Sequence, residues 1–166
     1  KWLANHADVN QKLLSEKGAI AMLPEPFVST ALAAGGDSVK QLFDLNELWN
    51  EATGQELPMG VLVARRGFVS DRPADLEVLL KDYAESVDFV NSDDGAGALI
   101  VEKGFIGKEA IAKSAISRCK MVLFTGTNAG EGADILRTFN QTLYDMEPAS
   151  VGGVLPDEEL YYTGAE

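Results

Sequence analysis

Residues 18–27, Gly-Ala-Ile-Ala-Met-Leu-Pro-Glu-Pro-Phe, constrain the fold of this chain more than any other stretch. Ala19 through Leu23 is an unbroken apolar run after a glycine, the pattern of a strand buried in a parallel sheet. Pro24 has no N–H to give to a ladder and ends the strand. Pro26 suits the first position of a helix, where a missing N–H costs nothing. Residues 27–34 continue as a helix of small side chains and stop at Gly35-Gly36. Strand, tight corner and helix start follow one another here. Open α/β sheets bind ligands at such corners, outside the carboxyl ends of their strands.

The rest of the chain is read from the same kinds of signal. Residues 8–16 predict a helix with Val9, Leu13 and Leu14 inward and Gly18 as its left-handed stop. Short strands are predicted at 1–5, 39–43 and 59–64, with a short helix at 46–51 between the last two. Leu76, Leu79, Leu80, Tyr83, Ala84, Val87 and Val90 repeat every 3.6 residues and predict a long helix opened by Pro73. Helices are also expected at 95–103, 108–117 and 128–146, with a brief extended piece at 121–124 and a final turn at 157–161. Residues 1–64 thus alternate strand and helix, whereas 68–166 are nearly all helix. The fold class expected is α/β, with the second half covering a sheet whose strands lie upstream of residue 1.

Composition narrows the partners. A net charge of −12 argues against nucleic acid or an anionic membrane surface, both of which call for basic patches. No apolar stretch approaches the roughly 20 residues that span a bilayer. Cys119 is the only cysteine, so no intramolecular disulfide forms, which leaves the compartment open. The chain starts Lys1-Trp2-Leu3 and reads as an internal piece, so a missing targeting segment says nothing about localisation.

The candidate chemistry is sparse. Glu25 is either a cleft-facing acceptor for a ligand amine or hydroxyl, or a carboxylate placed for the helix dipole. Phe27 either stacks on a ligand ring or packs in the lobe. Met59 and Gly60 lie where a strand would pass a cleft, Gly60 alternatively relieving crowding. Residues 125–132, Thr-Gly-Thr-Asn-Ala-Gly-Glu-Gly, lack the Gly-Lys-Ser/Thr of a phosphate loop and read as a helix cap by Thr127 or Asn128. Asn91-Ser92-Asp93-Asp94-Gly95 lacks the closing glutamate of a calcium loop and reads as a turn. His6, the one histidine, has no company for a metal site. With His6 and Cys119 apart, no nucleophile–base–orienter set emerges.

Three segments carry a resemblance. Residues 13–26 end a helix in glycine and run an apolar strand into Pro24-Glu25-Pro26. Residues 60–69, Gly-Val-Leu-Val-Ala-Arg-Arg-Gly-Phe-Val, precede Arg72-Pro73. Residues 150–157, Ser-Val-Gly-Gly-Val-Leu-Pro-Asp, precede Tyr161-Tyr162. Together these resemble the extracytoplasmic solute-binding proteins of ABC importers, in the branch that includes sulfonate, nitrate and thiamine-pyrimidine binders. Ala19 stands where many relatives carry aspartate, and the family's N-terminal half is missing. The resemblance implies the C-terminal half of a type II periplasmic-binding-protein fold. Residues 1–58 would end the second α/β lobe, 59–66 form the hinge crossing and 67–166 return to the first lobe. It implies capture of a small molecule by hinge closure and delivery to permease subunits, with Pro24, Glu25, Pro26, Phe27, Met59 and Gly60 at the ligand and no cofactor or metal. The chain is accordingly expected to be no enzyme; the alternative is a pyrimidine-precursor biosynthetic enzyme of the same fold. Its place would be extracytoplasmic, as a periplasmic protein or a lipoprotein whose anchor lies outside these residues. Made alone, the piece is expected either to dimerise through its 59–67 crossing or to stay partly molten.

Overall fold

In a computed structural model, residues 2–163 are described. Eight α-helices form among them: α1 (His6–Ser15), α2 (Phe27–Gly35), α3 (Leu45–Thr53), α4 (Arg66–Asp71), α5 (Pro73–Ser92), α6 (Ala96–Glu102), α7 (Glu109–Arg118) and α8 (Ala129–Met146). The chain divides into two units, Lys1–Leu42 with Glu85–Val122, and Phe43–Ala84 with Leu123–Glu166. Helix α5 passes from the second unit to the first at residues 84 and 85.

The first unit is built from α1, α2, α6 and α7. Asn5 starts α1 by accepting the Asp8 N–H at 2.9 Å, which satisfies one of the orphan donors of a helix start. The buried apolar positions are small: Ala31 on α2, Ala96 and Gly97 on α6, Ala112 and Ala115 on α7. Small side chains let helix backbones approach closely, and α7 packs on both α2 and α6. At Gly97 an added Cβ would stand 2.8 Å from Lys113 Cγ, so a larger residue there would have to displace that side chain of α7.

The second unit packs α3 and the tail of the chain on α8. Trp49 of α3 meets Phe139 of α8 edge-on, with ring centroids 5.5 Å apart. Thr142 donates to the Gln55 side chain at 3.0 Å. The 3₁₀ turn Gly126–Asn128 that leads into α8 carries a capping box: the Thr125 side chain accepts from the backbone of Asn128, and the Asn128 side chain accepts from Thr125 N–H at 2.8 Å. Asn128 is the N-cap residue of α8, one of the two positions expected, though its side chain makes no cap hydrogen bond to α8. At the other end, Tyr161 is buried, receives a hydrogen bond from Asn140 at 3.1 Å and lies under the Arg137 guanidinium, 5.0 Å from the ring centroid.

The α/β expectation is corrected. The described residues are helix-rich and hold no β-ladder. The runs at 19–23, 39–43, 59–64 and 121–124 are neither helical nor laddered, and Trp2 to Asn5 makes no strand; Lys1 lies outside the described residues. The physical reason is that a helix closes its hydrogen bonds within one segment, whereas a strand closes them only on a neighbouring strand. Apolar runs alone do not supply that neighbour. A further helix, α4, was not expected; Arg72, at φ −134° and ψ 52°, breaks it from α5 just ahead of Pro73. Among the described residues no helix is long and apolar enough to cross a membrane.

Candidate functional site

The Pro24-Glu25-Pro26 corner opens α2 as the residue types demand. Pro24 O accepts from Phe27 N at 2.9 Å and from Val28 N at 3.2 Å, which turns the chain into the helix. Pro26 is the N-cap residue, one position ahead of the helix start expected for it. The Glu25–Pro26 peptide bond is cis. Glu25 Oε2 accepts the Ser29 N–H at 3.1 Å, so the carboxylate serves the helix start from the residue before the cap. Its other oxygen, Oε1, lies 3.7 Å from Arg118 Nε. Arg118 also donates from Nη1 to Gln41 Oε1. Glu25 is the more buried of the ion pair and Arg118 about one-third exposed, so water weakens the attraction to a fraction of a kcal/mol or about one at most.

Around this corner the packing is polar and specific. Ser29, buried on α2, donates to Ser114 of α7 at 3.1 Å. Phe27 lies against the His6 ring, with centroids 5.3 Å apart, and its carbonyl accepts from Asn10 Nδ2 at 3.2 Å. Cys119 follows Arg118; burial, and then the negative charge of Glu25, push its thiol pKa above the ordinary value. The thiolate is the nucleophilic form of cysteine, so this setting quiets Cys119. Asp93 accepts from Gly95 N–H at 2.7 Å, so residues 93–95 turn as read, whereas Asn91 and Ser92 still belong to α5. No group of three or more metal-ligating side chains converges among the described residues.

Pro24, Glu25, Pro26 and Phe27 therefore sit together in the first unit, at one helix start. Met59 and Gly60 belong to the second unit, on an exposed run where an added Cβ at Gly60 would touch nothing within 4 Å. Arg118 and Gln41 were not singled out from the sequence. The signal that would have found Arg118 is a cation in the last turn of a helix, ahead of an apolar run. It mirrors Glu25, an acid at a helix start after an apolar run.

A sequence model of a menaquinone-biosynthesis family matches residues 27–100. No curated protein matches the chain. A solved structure described as an ABC transporter from Parabacteroides distasonis is 26% identical, with a TM-score of 0.68, over 95% of this chain and 54% of that one. The chain thus spans about half the length of that structure. The match to a biosynthetic family overturns the expectation that the chain is no enzyme, which had rested on the absence of an obvious catalytic set. What the comparisons support is a likeness to an ABC-transporter structure and, over residues 27–100, to a menaquinone-biosynthesis family.

Proposed function

We propose that this chain is part of a two-lobed, extracytoplasmic solute-binding protein that hands a small molecule to ABC permease subunits. The observation that carries the reading is the likeness, across 95% of the chain, to the Parabacteroides distasonis ABC-transporter structure. The corner at Pro24-Glu25-Pro26-Phe27 is the ligand-facing element in this reading. Glu25 offers a carboxylate and Arg118 a guanidinium with unused N–H donors, so the corner presents both charges to a polar solute. The finer branch proposed is that of sulfonate, nitrate and thiamine-pyrimidine binders. Titration calorimetry with taurine, nitrate and the hydroxymethyl aminopyrimidine of thiamine tests it. Saturable binding of one of them, lost in Arg118→Ala, is expected; heats indistinguishable from dilution for all three sink the branch.

A second reading is favoured by one observation, the menaquinone-biosynthesis match over residues 27–100. In it the same corner orients a substrate that the protein converts. Mass spectrometry of each solute after prolonged incubation separates the two. Recovery of unchanged solute supports the carrier, and a new product that depends on Glu25 or Arg118 supports the enzyme.

A further inference from the structure

Glu25 and Arg118 are close but not joined. Oε1 of Glu25 lies 3.7 Å from Nε of Arg118, beyond the roughly 2.7–2.9 Å of a charge-assisted hydrogen bond. The other carboxylate oxygen is occupied by the Ser29 N–H, and Nη1 of the guanidinium by Gln41 Oε1. An acceptor and several N–H donors are therefore left side by side. Both side chains keep a solvent face, 14% for Glu25 and 35% for Arg118, so a solute can reach them. Their charges decide which solute. An anion drawn to Arg118 is pushed away by Glu25, and a cation drawn to Glu25 is pushed away by Arg118. At such similar distances the two effects nearly cancel. A zwitterion answers both charges, but each of its heads must shed tightly held water. A neutral solute with an N–H donor beside an acceptor on one edge meets neither objection.

We propose that the corner selects uncharged solutes with such a paired edge, of the carboxamide or ureide kind, over anions and cations. The donor goes to Glu25 Oε1 and the acceptor to the planar fork of Arg118, while Gln41 holds Nη1 and fixes the plane of that fork. Glu25 is then the specificity residue, because its charge cancels the pull of Arg118 on anions. The inference rests on the solute-binding reading above, but the two fail separately. Preferred binding of an ion would refute the selectivity and leave solute capture standing. Conversion of the bound solute would refute carriage and leave the selectivity standing.

Proton–nitrogen NMR of the whole 166-residue chain tests this, since it reads the Arg118 Nε–H signal directly once Arg118→Lys has assigned it. Benzamide, benzoate and benzamidinium share one shape and differ in charge: neutral, negative and positive. Benzamide is expected to shift the signal saturably, with an affinity about tenfold above that of either ion. Glu25→Gln keeps an acceptor for the Ser29 N–H and should reverse the order, so that benzoate binds best. A variant that merely unfolds cannot produce that gain. Benzoate, benzamidinium or taurine binding the parent chain more tightly than benzamide would overturn the proposal. So would an Arg118 signal that none of these probes shifts, or a folded Glu25→Gln chain that gains no affinity for benzoate.

Discussion

The Nε of Arg118 lies 3.7 Å from Oε1 of Glu25, tying the last turn of α7 to the corner that opens α2. Each charge stands where its own helix favours it, the acid at a helix start and the base at a helix end. Each also completes the other, so the corner is held from two elements at once.

Glu25 therefore carries a structural load whatever it binds. Glu25→Ala removes the acceptor for Ser29 N–H and leaves Arg118 with Gln41 alone. A loss of about 1–2 kcal/mol is expected, the usual range for a missing cap. Glu25→Gln keeps an acceptor for the same N–H and should recover much of that loss. Urea unfolding of both variants checks this; equal stability of Glu25→Ala and the parent would show that the helix start does not need the carboxylate.

Cys119 gives the corner a pH signature. Burial and Glu25 hold its thiol pKa up, so the folded chain keeps that proton more tightly than the unfolded chain. Where the folded state binds more protons, stability falls as pH rises. The contribution is thus fully present below the unfolded thiol value, about 8.5, and is lost as pH climbs through the raised folded value. Cys119→Ser should flatten that decline in urea midpoints measured between pH 8 and pH 10. Iodoacetamide should alkylate the folded chain more slowly than glutathione at pH 8, and Glu25→Gln should restore only part of the difference, because burial is the larger cause.

The tail of the chain is held at Tyr161. Its ring is buried, its hydroxyl accepts from Asn140, and Arg137 covers it while pairing with Glu158 at 2.8 Å. Tyr161→Ala should cost about 3 kcal/mol, in the range for deleting a buried aromatic ring. Tyr161→Phe should cost about 1 kcal/mol, the worth of one hydrogen bond. Calorimetric melting of the two variants checks the ratio; near-equal losses would mean that the hydroxyl, and not the packing, fixes the tail.

Helices were the legible part of this chain because their signals are local. The 3.6-residue repeat and Pro73 placed α5 at 73–90, against Pro73–Ser92 observed, and α8 at 128–146, against Ala129–Met146. Even there the apolar stripe overstated burial: Leu76 is buried, while Leu79 and Tyr83 stay exposed. The apolar runs were read as strands from composition, but a ladder is a property of two segments. The Pro24-Glu25-Pro26 corner was visible as a turn into a helix. Its partners Arg118 and Ser114 were not, since nothing local in residues 24–27 indicates which distant helix arrives there.

Two helical glycines separate close approach from mere tolerance. Gly97 and Gly132 are both buried, and alanine at either gains about 1 kcal/mol of helix propensity. At Gly97 the new methyl would meet Lys113 Cγ at 2.8 Å, on a half-exposed side chain that can turn about its χ1 bond at the cost of its exposed pair with Glu109. At Gly132 it would meet Phe124 Cβ at 2.5 Å, an atom fixed by the Phe124 backbone, and Cγ at 2.8 Å. Overpacking against fixed atoms costs about 1–3 kcal/mol. Gly97→Ala is thus expected to leave the melting temperature nearly unchanged, and Gly132→Ala to lower it. Adding Phe124→Ala to Gly132→Ala should not rescue, because Cβ remains; adding Phe124→Gly should relieve the clash. Melting temperatures of the four variants decide, and a Gly132→Ala protein as stable as the parent would show that the 123–125 segment moves away from α8 at little cost.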